Sequence, residues 1–407
     1  MSKKNLLIVG PFLSRSGYGE MARFALRSMR TKTDEYNIYL HNTSWGKTGW
    51  LWEDNEERRF IDSTLRSTIE YQQSGGQFDA SIQTTIPNEW KQIAPVNIGY
   101  TAGIETTNVA PEWIEVGNKM NSIITISKHS ADIYRDTQYD ATNKEDKSKH
   151  VFKCETPIDY VGFPTKTNVE VEKVDINLTT AFNFLVVAQA GPRKNIESVV
   201  KSFVEEFGDN EDVGLILKIF GANNSTMDYY GTKARITGLV KSISKEADVE
   251  NRKCKIYLLH GSLTDGEMQG LYTNKKIKSI VSMTHGEGFG LPLFEAATNG
   301  LPVIATGWSG HLDFLQIKNK DMFASIKYDL GKIDQRAAWP GVLHEESGWA
   351  YPNLEHAKRM MRDVYTNHRK WKSKATKLKK HINSEFTEEK MYKKFTDLVD
   401  KTTTVGT

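Results

Sequence analysis

Residues 278–313 read KSIVSMTHGEGFGLPLFEAATNGLPVIATGWSGHLD, and the order of residue types in this stretch decides the fold. Ile280, Val281 and Met283 make a short apolar run, the mark of a buried strand. A glycine-rich turn follows, His285-Gly286-Glu287-Gly288-Phe289-Gly290. Residues 291–299 then read as a short helix. Pro292 suits its first turn, where a missing N–H costs nothing, and Gly300 stops it. A second strand at 302–306 ends in the turn Gly307-Trp308-Ser309-Gly310. Strand, turn, helix, strand is one βαβ unit of a parallel sheet.

The turn suits an anionic ligand. Its glycines let the backbone come close to a ligand, and the helix behind them offers unpaired N–H groups and a partial positive charge to a phosphate. Glu287 stands on the turn at the C-terminal edge of the sheet, where open α/β folds bind ligands, and Glu295 lies about one helical turn into the helix. Two carboxylates beside phosphates make sense as acceptors for hydroxyls, one on a sugar and one on a ribose. The plainer reading is a glycine-rich turn with two surface glutamates.

Glu287-Gly-Phe-Gly-Leu-Pro-Leu-Phe-Glu295, followed by Gly300-Leu-Pro-Val-Ile-Ala-Thr306, resembles the Glu-x7-Glu signature of retaining GT-B glycosyltransferases of the family 4 kind. The resemblance implies α/β architecture, with two Rossmann-like parallel-sheet domains facing across a cleft. It implies transfer of a sugar from a nucleotide-sugar donor, with Glu287 beside the sugar, Glu295 on the ribose, and Gly288, Phe289, Gly290 and Leu291 around the diphosphate. Ser16-Gly17-Tyr18-Gly19, after the first strand, is similar to the loop that faces the donor diphosphate in that family. At the start of the second domain, in 188–195, Lys194 falls on the family's phosphate-binding lysine. Gln189 stands where an arginine is usual, and Arg193 is the candidate to replace it. Leu263 lies on the turn near which the family's nucleotide base rests. In the acceptor domain, where many members carry a histidine, this chain offers Glu105. Two roles stand open for it: binding or deprotonating the acceptor, or a structural hydrogen bond to the backbone. His129 either caps a helix or touches the acceptor.

A chain of 407 residues is too long for one core. The expected division is an acceptor domain at 1–170, a donor domain at 171–385, and a last helix at 386–407 returning toward the first domain. No stretch approaches the ~20 apolar residues of a membrane span. The N-terminal MSKKNLLIVGPF reads as a first strand rather than a signal peptide. Cys154 and Cys254 are the only cysteines, which points to a reduced, cytoplasmic protein without disulfides. No Asp-x-Asp pair of the metal-binding kind occurs, so neither metal nor other cofactor is expected. Residues 140–150 read as a polar surface loop, 221–231 as a second loop and 166–178 as the interdomain linker.

The acceptor is open between a saccharide and a hydroxymethylated base in DNA. A non-catalytic sugar- or nucleic-acid-binding protein is a third reading. Trp45, Trp50 and Trp52, in a loop, suit stacking on sugars or bases. Arg23, Arg27 and Arg30, spaced as a helical stripe, together with Arg58 and Arg59, suit phosphates. The net charge of +3 decides nothing about partners, and the oligomeric state is not legible.

Overall fold

The computed structural model describes residues 3–143, 147–167 and 169–405. The chain divides into two compact units. Unit 1 comprises Met1–Pro164, Ala338–Gly348 and Phe386–Thr407, and unit 2 comprises Thr165–Ala337 and Trp349–Glu385.

Unit 1 is built on β1 (Lys4–Gly10), α1 (Gly17–Met29), β2 (Tyr36–Asn42), α2 (Glu56–Gln73), β3 (Ala80–Thr84), β4 (Val96–Thr101), α3 (Pro111–Gly117), β5 (Ser122–Thr125), α4 (Lys128–Asp136), β6 (Gln138–Thr142), β7 (Lys149–Lys153) and β8 (Ile158–Tyr160). Its six-stranded sheet has the order β2-β1-β3-β4-β5-β8, with every pair parallel. Strands β3 and β4 are buried along their whole length, as expected when helices cover both faces. Segment 338–348 belongs here because Asn88 Nδ2 donates to Gly341 O at 2.8 Å and the Gly348 amide donates to Thr107 Oγ1 at 2.7 Å.

Unit 2 holds β9 (Phe182–Gln189), α5 (Ile196–Phe207), β10 (Val213–Phe220), α6 (Thr226–Glu246), β11 (Lys255–Leu259), α7 (Asp265–Thr273), β12 (Ile277–Ser282), α8 (Leu291–Thr298), β13 (Val303–Thr306), α9 (Leu312–Leu315), the short pair β14 (Gln316–Ile317) and β15 (Lys320–Asp321), and β16 (Ala324–Ile326). Two further helices follow, α10 (Leu354–Thr366) and α11 (His368–Glu385). The parallel sheet runs β11-β10-β9-β12-β13-β16. Taken in chain order this is 3-2-1-4-5-6, the doubly wound arrangement whose strand order reverses between β9 and β12. Helix α5 turns Val199, Val200, Phe203 and Phe207 inward at helical spacing. The capping box expected at Thr264 and Glu267 is present at the start of α7. The basic run in α11 is a packing helix. Trp371, Ala375, Leu378 and Ile382 are buried, while Lys372 reaches round to donate to Gly300 O at 2.6 Å.

Three local expectations are corrected. Residues 140–150 are not simply a loop: β6 and β7 pair antiparallel, and residues 144–146 lie outside those described. Helix α6 begins at Thr226, inside the expected loop, because Ser225 caps it and Asp228 accepts from the amides of Gly221, Ala222 and Asn224. Helix α4 is capped by Ser127, whose side chain accepts from the Ser130 amide, rather than by His129. The expected linker makes contacts of its own. Lys166 pairs with Asp265 at 2.9 Å, and the Glu172 amide donates to Gly266 O at 3.0 Å, tying the segment to α7.

The last helix, α12 (Glu388–Val405), packs on unit 1. Phe395 is fully buried, with its ring 5.3 Å from Phe24 and 5.1 Å from Tyr100, both in edge-to-face geometry. Tyr36 donates to Asp400 at 2.8 Å, and Lys32 pairs with the same carboxylate at 3.1 Å. Among the described residues no helix is long and apolar enough to cross a membrane. Phe395→Ala is expected to cost unit 1 about 3–5 kcal/mol through lost burial and the cavity left behind. Urea denaturation followed by fluorescence measures this, and a loss below about 1 kcal/mol means that α12 is peripheral to the unit.

Candidate active site

The loops that follow β9 and β12 leave neighbouring strands at the point where the strand order reverses, and they are laced together. The His285 amide donates to Arg193 O at 2.9 Å, and Asn195 Nδ2 donates to Met283 O at 3.1 Å. Asn195 itself is left-handed, at φ 49°, a conformation asparagine tolerates better than most residues.

At the centre lies Glu287. Lys194 Nζ donates to its Oε1 at 2.6 Å, and Arg193 Nη1 donates to its Oε2 at 3.3 Å and to Gly286 O at 2.6 Å. The Glu287 side chain is 9% exposed, against 19% for Lys194 and 27% for Arg193. Burial alone pushes the carboxyl pKa upward, but the two cations overcome it and bring the group down from the ordinary 4.5 to about 2. Two positive charges on one negative leave the cluster with a net positive charge, suited to a further anion. The backbone of Glu287 is held as firmly. Its amide donates to Ser309 Oγ at 2.8 Å, and its carbonyl accepts from the Gly310 amide at 2.9 Å. Ser309 sits at φ 89°, a strained conformation for a serine, which marks the turn after β13 as part of the site.

Gly290 is the N-cap of α8 at φ 90°, and a Cβ there would stand 3.1 Å from that of His311. Glycine is therefore favoured at this position by its conformation, and a Cβ would also crowd His311. Beyond it Gly288, Phe289 and Leu291 complete the turn; Glu295 lies on α8 and accepts from Tyr272 Oη at 3.0 Å. Gln189 ends β9 and donates to Gly221 O at 3.3 Å. Leu263 is half-buried just before the cap of α7. The structure thus brings Arg193, Lys194, Glu287 and the 288–291 turn into one cluster in unit 2.

Gly17, Tyr18, Gly19 and Glu105 lie in unit 1. Gly19 has a packing reason to be glycine, because a Cβ would fall 2.0 Å from Ser14 O; Gly17 has none within 4 Å. The Tyr18 hydroxyl is hydrogen-bonded to Thr101 at 2.8 Å, and its ring packs on Trp45 at 4.2 Å. Burial, with the charge of Glu105 nearby, holds its phenol well above the ordinary range. Trp50 and Trp52 are 57% and 66% exposed, and the Arg15 guanidinium lies 5.7 Å from the Trp52 ring.

The expected basic stripe is not a surface stripe. Arg23 is 6% exposed and donates to Phe12 O and Ser14 O at 2.7 and 3.0 Å. Arg27 bridges Glu20 and Glu57, Arg30 lies over the Phe60 ring, Arg58 pairs with Asp62, and Arg59 pairs with Asp54. Helical spacing put three arginines on one face, but that face packs on the rest of unit 1.

Three residues of the site went unassigned in the sequence reading: Tyr272, Ser309 and His311. His311 is fully buried, with Nε2 donating to Thr306 O at 2.7 Å. Burial lowers its pKa, so the ring is neutral and Nδ1 is a bare acceptor with no partner among the described residues. Its place in the turn after β13 was the available signal.

Residues 170–320 match the family model described as Glycosyl transferases group 1. A curated relative, probable sucrose-phosphate synthase 5 of Oryza sativa subsp. japonica, is 26% identical over 166 residues. That match takes in 41% of this chain and only 16% of the relative. Among solved structures, Anabaena HepE in complex with UDP and glucose aligns at TM-score 0.61 and 10% identity, covering 98% of this chain and 100% of that one. Sucrose-phosphate synthase from Thermosynechococcus elongatus aligns at 0.62 and 12%, covering 98% and 99%. The architecture is that of the GT-B glycosyltransferases, two units each carrying a parallel six-stranded sheet.

The Glu287 cluster has a pH signature. Because the folded pKa is depressed, its contribution to stability is complete above pH 4.5 and is lost as pH falls toward 2. Glu287→Gln leaves two cations beside a neutral amide and is expected to cost about 1–3 kcal/mol at pH 7. The gap from wild type should hold down to about pH 4.5 and close below it. Denaturant titrations across that range measure it, and a gap independent of pH sinks the assignment.

Proposed function

We propose that this chain is a retaining, metal-independent glycosyltransferase of the family 4 kind, moving a sugar from a nucleotide-sugar to a hydroxyl of a saccharide. We further propose that it works in the cytoplasm, where its free Cys154 and Cys254 stay reduced. The observation that carries the reading is the clamp of Lys194 and Arg193 on Glu287, beside the N-terminus of α8. The segment matching the glycosyltransferase model contains all of it. HepE, which shares the fold, was solved with UDP and glucose, the pair of ligands such a site would take.

In this reading the donor diphosphate lies against the amides of Gly290 and Leu291, with Lys194 and Arg193 donating to its oxygens. As the bond from the sugar carbon to the phosphate oxygen breaks, negative charge builds on the phosphate, and the pre-placed cations stabilise it without reorganising. That charge is what a metal provides in other glycosyltransferases. Glu287, fixed at both backbone and side chain, orients the sugar and steadies the positive charge developing on its ring. The acceptor oxygen attacks from the face the phosphate leaves, and the leaving phosphate takes the acceptor proton. Glu295 accepts from the ribose.

Unit 1 supplies the acceptor determinants, with Glu105 as candidate to hold the acceptor hydroxyl. Trp50 and Trp52, both exposed and the latter beside Arg15, favour a saccharide, since an indole face stacks on a sugar ring. The DNA reading needed Arg23, Arg27 and Arg30 for phosphates, and all three are engaged within unit 1.

Lys194→Ala should lower turnover about 10²–10³-fold with the fold intact, and excess chelator should leave wild-type turnover unchanged. A mutant within a few-fold of wild type, or activity lost in chelator and restored by manganese, overturns the corresponding half of the mechanism. Trp50→Ala and Trp52→Ala should each raise the acceptor KM about 2–10-fold and leave the donor KM alone. Unchanged acceptor kinetics, together with salt-sensitive binding of duplex DNA, would favour the nucleic-acid acceptor instead.

A further inference from the structure

A buried tyrosine aimed at a half-exposed carboxylate bears on donor selection. Tyr272 stands in the last turn of α7, which packs against α8, and is 2% exposed. Its hydroxyl is the single polar atom at the far end of a ring otherwise enclosed by the unit. Such a group needs a partner, and it has one: Oη lies 3.0 Å from Glu295 Oε2. The direction of the bond is forced, since an ionised carboxylate only accepts. Burial, reinforced by the Glu295 charge, holds the phenol far above its ordinary pKa, so it remains a donor across the working pH range. Glu295 also sits on a short helix whose start is set by Gly290 and whose end is set by Gly300, so its backbone has little freedom.

We infer that Tyr272 is a positioning residue: by holding one oxygen of Glu295 it sets the plane of that carboxylate, and thereby the discrimination between ribose and deoxyribose in the donor nucleotide. This rests on the proposed role of Glu295 toward the ribose. A carboxylate turned by one rotamer presents its lone pairs to the wrong point, and a vicinal diol is held well only by a carboxylate in a defined plane. Without the phenol hydrogen bond that oxygen is no longer fixed from the α7 side, and the contact to the ribose weakens while the diphosphate contacts stay.

The test uses the full chain and Tyr272→Phe, which keeps the buried ring. Calorimetric binding is measured for the best-bound of ADP, GDP and UDP, and for its 2′,3′-dideoxy form. Tyr272→Phe should weaken the ribonucleotide about 5–10-fold and leave the dideoxy form within about twofold. In the assay, donor KM should rise while kcat holds. In a Glu295→Ala background the Tyr272→Phe change should have no further effect, because the two residues act as a unit. Equal weakening of both nucleotides, or an additive double mutant, means a merely structural tyrosine and overturns the inference. Wild-type protein that binds the two forms equally overturns the ribose role of Glu295 itself, and the inference with it; that failure is visible before any mutant is made.

Discussion

The site depends on one electrostatic arrangement, a nearly buried glutamate that remains ionised because a lysine and an arginine hold it. A lone carboxylate at that depth would take up a proton rather than stay charged. A lysine and an arginine side by side at a helix start would otherwise face the unfavourable end of the helix dipole. Each group makes the other tolerable. The cluster as a whole keeps a net positive charge directed to the edge of the sheet where open α/β folds take ligands.

That arrangement requires the doubly wound topology. Residues 193 and 287 are far apart in the chain, and they meet because β9 and β12 are neighbours where the strand order turns round. The loop after β9 leads into α5, the loop after β12 leads into α8, and the turn after β13 comes in beneath to hold the Glu287 backbone through Ser309. Strain at Ser309 and the left-handed Gly290 and Asn195 are concentrated at these three turns. Elsewhere in unit 2, helices α5, α10 and α11 are ordinary amphipathic packing helices. Each of the three loops that form the cluster thus carries a left-handed residue, as do Asn224, Asp248, Lys318 and Asn319 elsewhere in unit 2.

The local chemistry was legible because it is written in neighbouring residues. The 278–313 stretch announced strand, turn, helix and strand through apolar runs, Pro292 and Gly300, and the elements lie where those residues put them. The capping box at Thr264 and Glu267 was read from four residues. The reading failed once at an unrecognised local cap and once at distant partners. Ser225 and Asp228 converted an expected polar loop into the first turns of α6. The arginines of α1 had the spacing of an exposed stripe, and only packing against the 12–14 turn and the α2 glutamate showed that they face protein.

The sequence by itself determined the fold class, the βαβ order and the glycine-rich turn with Glu287 and Glu295, because glycine, proline and apolar period act over a few residues. Tertiary structure alone decided that Arg193 and Lys194 close on Glu287, that Tyr272 reaches Glu295, and that Ser309 and His311 belong to the site. Those contacts join residues brought together by sheet order and helix packing, and no local pattern of residue types encodes a distance between loops from different strands.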